Sequence, residues 1–215
     1  MRNVEKDEIE MAARRELMLK TGFRVFSERA IEPVTMQDVA DECGLGIATL
    51  YRYFNTKLVF VIAIGARKWE EYFIEVEKMY RKRHGEGMNA AEELEFFIDC
   101  IIALYTDHKD LLAFNCNLDT YVRHEGATAE QLRPYYDAVE QFAKKFHTVY
   151  EKAQSDATLK PGLSERKLFL STLHIMLAVA TKYADGLLVP AEDANDLTQE
   201  LNMLKKLLLD AYTNR

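Results

Sequence analysis

The chain has 215 residues, of which 48% are hydrophobic and 29% charged, with 9 Gly, 4 Pro and a net charge of −7. That length can bury a sizeable core in one large domain or two modest ones. So few breakers favour long helices over many short strands, and the acidic balance excludes a surface coated in basic residues for indiscriminate polyanion binding.

From Val4 to Glu28 the pattern is helical, with Ile9, Ala12, Ala13, Leu17, Leu19, Phe23 and Phe26 as an apolar stripe. Glu32-Pro33 breaks it. Thr35 then stands as an N-cap, with Asp38 three residues on where a capping-box acid belongs. Gly44 stops this short helix, and Ile47 to Phe54 forms the next. Asn55-Thr56 offers another N-cap before a long run from Lys57 to about Arg83, and His84 to Gly87 is a loop. Helices follow over Asn89–Asp107 and Lys109–His124, and Glu125-Gly126-Ala127 is a break. Thr128 caps a helix reaching about Gln154, and Pro161-Gly162 closes it off. Ser164 with Arg166 starts a very apolar helix, Lys167 to Asp185, and Val189-Pro190 precedes the last, Asp193 to about Tyr212. The expected fold is all-α with about nine helices, divided into residues 1–56 and 57–215.

The charge is unevenly shared. Residues 1–57 hold 9 Lys/Arg and 10 Asp/Glu, net −1, which leaves 19 and 25, net −6, for the remainder. The N-terminal quarter is therefore the part that a polyanion repels least. Cys43, Cys100 and Cys116 lack paired spacing, so buried thiols in a reducing compartment are expected. Charged residues follow Met1 and no apolar run approaches ~18 residues. A cytoplasmic protein, neither secreted nor membrane-associated, is expected.

Two short helices across a glycine turn form either a helix-turn-helix or two ordinary core helices. The former needs a small residue at the crossing, a glycine in the turn and an apolar anchor on the second helix. Ala40, Gly44 and Leu50 fill those roles, with Val39 and Leu45 completing a small core. With Leu50 and Phe54 inward, Ile47, Ala48, Thr49, Arg52 and Tyr53 occupy the other faces and Tyr51 the flank. Hydroxyls there suit phosphate oxygens, and Arg52 suits bidentate contact with guanine. The alternative has Tyr51 and Tyr53 as half-buried packing residues and Arg52 as a solvated charge.

The runs Phe26-Ser27-Glu28-Arg29, Val34 to Ala40 and Gly44 to Lys57, above all Thr49-Leu50-Tyr51 followed by Tyr53-Phe54 and Lys57, resemble the DNA-binding domain of the TetR family of bacterial transcription regulators. The resemblance covers about residues 10–60. It implies phosphate contacts at Thr35, Thr49, Tyr51, Tyr53 and Lys57, and base reading by Ile47, Ala48 and Arg52. It also implies a palindromic double-stranded DNA operator, a homodimer, a small-molecule effector and a divergent helical ligand-binding and dimerisation domain. Gly46 stands where the family commonly has a helix-capping serine. Its backbone N–H can partly replace the lost phosphate contact. Ala30 replaces a glycine, Ile31 an aromatic residue and Ile47 a polar or basic one.

Leu168, Phe169, Leu170, Leu173, Ile175, Met176, Leu177, Val179 and Ala180 make the penultimate helix apolar nearly all round, too much for one face. With Leu197, Leu201, Leu204, Leu207 and Leu208 on the last helix, it forms the expected dimer seam. Asn115, flanked at helical spacing by Leu111, Leu112, Leu118 and Val122, points into an apolar face. Phe97, Tyr105, Phe114, Tyr121, Tyr136 and His174 are candidates to line the same space, and Asn115 and His174 then need partners from the protein or from a small, largely apolar ligand. No Glu-x-x-His pair, phosphate loop or zinc spacing occurs. No enzyme activity, metal or cofactor is expected. A helical dimer that docks a protein partner, or binds a small molecule without DNA, is the other reading.

Overall fold

The computed structural model describes residues 4–162, 164–187 and 194–214. Among them are helices α1 (Val4–Arg29), α2 (Met36–Glu42), α3 (Ile47–Tyr53), α4 (Lys57–Lys82), α5 (Ala90–Asp107), α6 (Lys109–His124), α7 (Arg133–Asp156), α8 (Glu165–Asp185) and α9 (Ala194–Tyr212), with a 3-10 turn at Gly85–Gly87. Packing gathers the chain into one unit of Met1–Trp69 with Phe114–Ala138, and a second of Glu70–Ala113 with Val139–Arg215.

In the first unit, α1 buries Met18, Leu19, Phe23, Val25 and Phe26. Gly22 faces the Phe60 ring so closely that a Cβ there would lie 2.5 Å from it, which brings α1 tight against the start of α4. The apolar stripe expected along all of α1 is half realised. Ile9 is 65% and Leu17 45% exposed, because helical spacing records which face could be buried, not whether a neighbour is there to bury it. Arg24 bonds Glu42 on α2 and Glu28 one turn on, and Arg29 also reaches Glu42. These are exposed pairs and contribute little individually.

The turn from α2 to α3 is well determined. Thr35 accepts from the Asp38 N–H while the Asp38 carboxylate accepts from the Thr35 N–H at 2.7 Å, a complete capping box. At the other end Gly44, at φ 65°, donates to the Asp41 carbonyl, and Leu45 donates back to that of Ala40. That Schellman arrangement needs a left-handed residue, hence the glycine. Ala40, Val39 and Leu50 are fully buried, as the helix-turn-helix spacing requires.

The helix expected directly after Thr128 begins later, at Arg133. Thr128 and Gln131 do cap each other. However, Pro134 has no N–H to give the Glu130 carbonyl, which takes the Arg133 N–H instead. The chain therefore makes a separate turn before α7.

In the second unit, α5 packs against α8 and α9. Leu168, Thr172, Met176 and Ala180 form the buried row of α8, four residues apart. The start of α5 is capped twice, by Asn89 and by the Asp156 carboxylate, which accepts from Ala90 at 2.7 Å. Glu93, almost wholly buried, is held by Lys152 and by the Tyr80 hydroxyl at 2.8 Å. Among the described residues no single helix is long and apolar enough to cross a membrane.

Candidate nucleic-acid interface and a buried polar chain

Helix α3 has seven residues, too few to persist alone. It is anchored by Leu50 and Phe54, with the Phe54 ring 4.7 Å from Phe60 and Arg15 lying 5.5 Å over its centroid. With those two side chains inward, Gly46, Ala48, Tyr51 and Arg52 are exposed, and Ile47 and Thr49 are partly so. Gly46 caps the helix by backbone alone, with no side-chain bond. Thr35 is exposed, and its hydroxyl is shared with Asp38. The outer face is thus apolar at its N-terminal end and cationic at Arg52.

Two expected phosphate-contact residues are placed less simply. The Tyr53 hydroxyl is buried without a partner, so reaching a phosphate requires its side chain to turn outward. Lys57, at the start of α4, donates to the Glu32 carbonyl at 3.0 Å and lies 5.0 Å over the Tyr121 ring. Burial lowers the pKa of Lys57, opposed by the carboxylates of Glu125, Glu32 and Asp38. Tyr121, expected as a ligand contact, therefore meets Lys57, expected as a DNA contact.

The remaining candidate ligand residues are divided between the two units. Phe114, Asn115, Tyr121 and Tyr136 belong to the first unit; Phe97, Tyr105 and His174 belong to the second. Phe114 packs on Phe23 at 5.3 Å, and Phe97 stacks on Tyr80 and contacts Phe146 at 5.8 Å. Tyr105 meets Tyr183 edge-on. Tyr136 is half exposed. His174, expected inside an apolar face and in need of a partner, is exposed. It stands two residues from both Thr172 and Met176, opposite the buried row, and a helix apolar nearly all round gives no sequence signal of which side turns inward.

Asn115 does find a partner that the spacing around it did not identify. The Trp69 indole N–H donates to the Tyr135 oxygen at 3.0 Å, and the Tyr135 hydroxyl donates to Asn115 Oδ1 at 3.4 Å. Burial pushes the Tyr135 hydroxyl up to about 12, so it keeps its proton. Asn115 Nδ2 is buried with no acceptor from the protein. The missed residues sit 46 and 20 positions away in sequence from Asn115 (115 − 69; 135 − 115), beyond any local pattern.

Residues 18–64 match the profile of the bacterial regulatory proteins of the tetR family. The segment runs from the buried half of α1 through α2 and α3 into α4, the elements that hold the exposed face of α3. The likeness to the TetR family of bacterial regulatory proteins is carried by this segment. Its curated relatives include the HTH-type transcriptional regulator SAR2658 of Staphylococcus aureus, 26% identical over 71% of this chain and 78% of that one. Across four such regulators the matched segment spans 35% to 78% of their length, and less than two thirds in three of them. Among solved structures, a transcriptional regulator from Saccharomonospora viridis in complex with choline has a TM-score of 0.72 at 17% identity, covering 95% of this chain and 100% of that one. FadR of Bacillus subtilis in complex with stearoyl-CoA has a TM-score of 0.67 at 17% identity, covering 90% and 97%. At those identities the TetR-type fold is what is shared. The family and the curated relatives are regulators, not enzymes.

Proposed function

We propose that this chain is a TetR-family repressor that binds a palindromic operator as a homodimer and is released by a small, largely apolar ligand. In this reading residues 1–56 carry DNA recognition and residues 57–215 sensing and dimerisation. The exposed face of α3 around Arg52, with Leu50 and Phe54 locked beneath it, is the observation that carries the proposal. Arg52 supplies the base-reading fork, Ile47 and Ala48 the apolar contact with thymine methyls, and Thr35, Gly46, Thr49, Tyr51, Tyr53 and Lys57 the backbone contacts.

A single seven-residue helix reads few base pairs, so two must act together. Ile175 on α8, with Met203 at 67% and Leu207 at 60% exposure on α9, offers large apolar side chains to a second copy and supports the dimer seam there. The bound ligands of the S. viridis regulator and of FadR support a sensing role for the rest of the chain. Helix α4 runs from Lys57 into the second unit and is the continuous element through which ligand would alter the spacing of the recognition helices. Coupling of this kind is typically ~1–3 kcal/mol and reciprocal, so operator must weaken ligand binding by the factor by which ligand weakens operator binding.

The test is DNA affinity against salt for the wild type and Arg52→Ala on fragments selected from random duplexes. Affinity is expected to fall steeply with salt, and Arg52→Ala to relax preference at one base pair by ~1–3 kcal/mol. A flat salt response with unchanged preference would instead favour a module that docks a protein partner.

A further inference from the structure

The chain Trp69–Tyr135–Asn115 has a fixed direction. An indole nitrogen can only donate, so the Tyr135 oxygen is the acceptor of the first bond and its own proton goes to Asn115. With the Asn115 carbonyl oxygen as the occupied end one group is left over, whereas the reversed amide would leave two, the Tyr135 proton and Oδ1. What is left over is Nδ2, which can only donate, buried and without a protein acceptor. Such a donor is destabilising until something accepts from it. Phe114 and Leu118 lie on the same helix, both buried. Gly65 lets Leu118 and the Tyr135 ring in so close that a Cβ would lie 2.8 Å and 3.0 Å from them. That packing fixes the Tyr135 ring from which the second bond is made.

We infer that the Asn115 amide is the polar reading point of the effector site and takes the oxygen of a neutral carbonyl group, an ester, thioester or ketone, on an otherwise apolar ligand. This rests on the sensing role proposed above. An ammonium ligand offers no acceptor to Nδ2. A carboxylate offers one, but Asp119 places negative charge within range of Tyr135, and an anion taken out of water needs a counter-charge. A neutral carbonyl satisfies the donor without that cost.

The chain has one tryptophan, and it is the first member of the polar chain, so its emission reports directly on the site. The probes are methyl octyl ketone, its isostere in which a methylene group replaces the carbonyl oxygen, octanoate and octyltrimethylammonium, titrated into the full chain. The wild type is expected to bind the ketone about tenfold more tightly than the alkene and than either charged probe. Asn115→Leu is expected to bind ketone and alkene alike while still binding both, and Asn115→Asp, which removes the donor, to lose the ketone preference. Equal binding of ketone and alkene by the wild type, or a ketone preference that survives in both variants, overturns the inference and leaves sensing intact. A wild type whose emission no probe changes also overturns it. Release of bound operator fragments by a metabolite extract, measured on the same preparation, then shows whether the sensing role falls with it.

Discussion

Ala30 ends α1 at φ 63°, a conformation that costs an L-residue with a Cβ roughly 1–2 kcal/mol. The TetR resemblance places a glycine at this position, so the departure was visible in the sequence; that the residue is left-handed needed the coordinates. Glycine would remove the strain and return ~0.5–1 kcal/mol through its freer unfolded state. Ala30→Gly is therefore expected to stabilise the chain by about 0.5–1 kcal/mol, read as a higher urea midpoint at constant slope. An unchanged or lower midpoint would mean that the turn relaxes around the alanine. Asn115 presents the complementary case. A lone amide amid leucines was legible as a polar group needing a partner, but Tyr135 and Trp69 are brought to it only by the packing of α4, α6 and α7. His174 looked similar on the page and lies outside, since nothing in a nearly all-apolar helix marks its inner side.

At the scale of elements, capping residues and glycines carried most of the information. Thr35, Asn89 and Ser164 cap helices where their side chains can reach backbone N–H groups, and Gly44 stops one where a positive φ is required. Elements failed to follow the sequence where a second local rule intervened, as at Pro134, or where burial depended on a neighbour, as along the first half of α1. The join of α7 to α8 adds a pH-sensitive contact. His147 Nδ1 lies 2.9 Å from Glu165 in the first turn of α8, and Nε2 lies 3.4 Å from Glu151. The hydrogen bond with Glu165, reinforced by the charges of Glu165 and Glu151, raises the His147 pKa. A pKa raised on folding adds stability that is complete below the unfolded value of about 6.5 and is lost as pH rises through the folded value. Between about pH 6 and pH 8 the melting temperature of the wild type is expected to drop more than that of His147→Gln. Parallel curves for the two proteins would show that the contact is too solvated to matter.

At the scale of the whole molecule, the all-α fold and the exposed face of α3 were legible because both rest on local patterns: helical periodicity, two caps, a turn glycine and a short motif. The division into two packed units was not legible. It depends on residues 114–138 joining the N-terminal helices, a long-range association that no window of sequence contains. The proposed action on DNA belongs to this scale too, because it requires two copies of α3 to meet DNA at once. The most direct measurement is a hydroxyl-radical footprint of the full chain on selected duplex fragments. Two equivalent protected patches related by a two-fold axis, centred about one helical turn or a multiple of it apart, and both lost on replacing Arg52 and Tyr51 together, are what the account predicts. A single asymmetric patch, or protection that survives the double replacement, would contradict it.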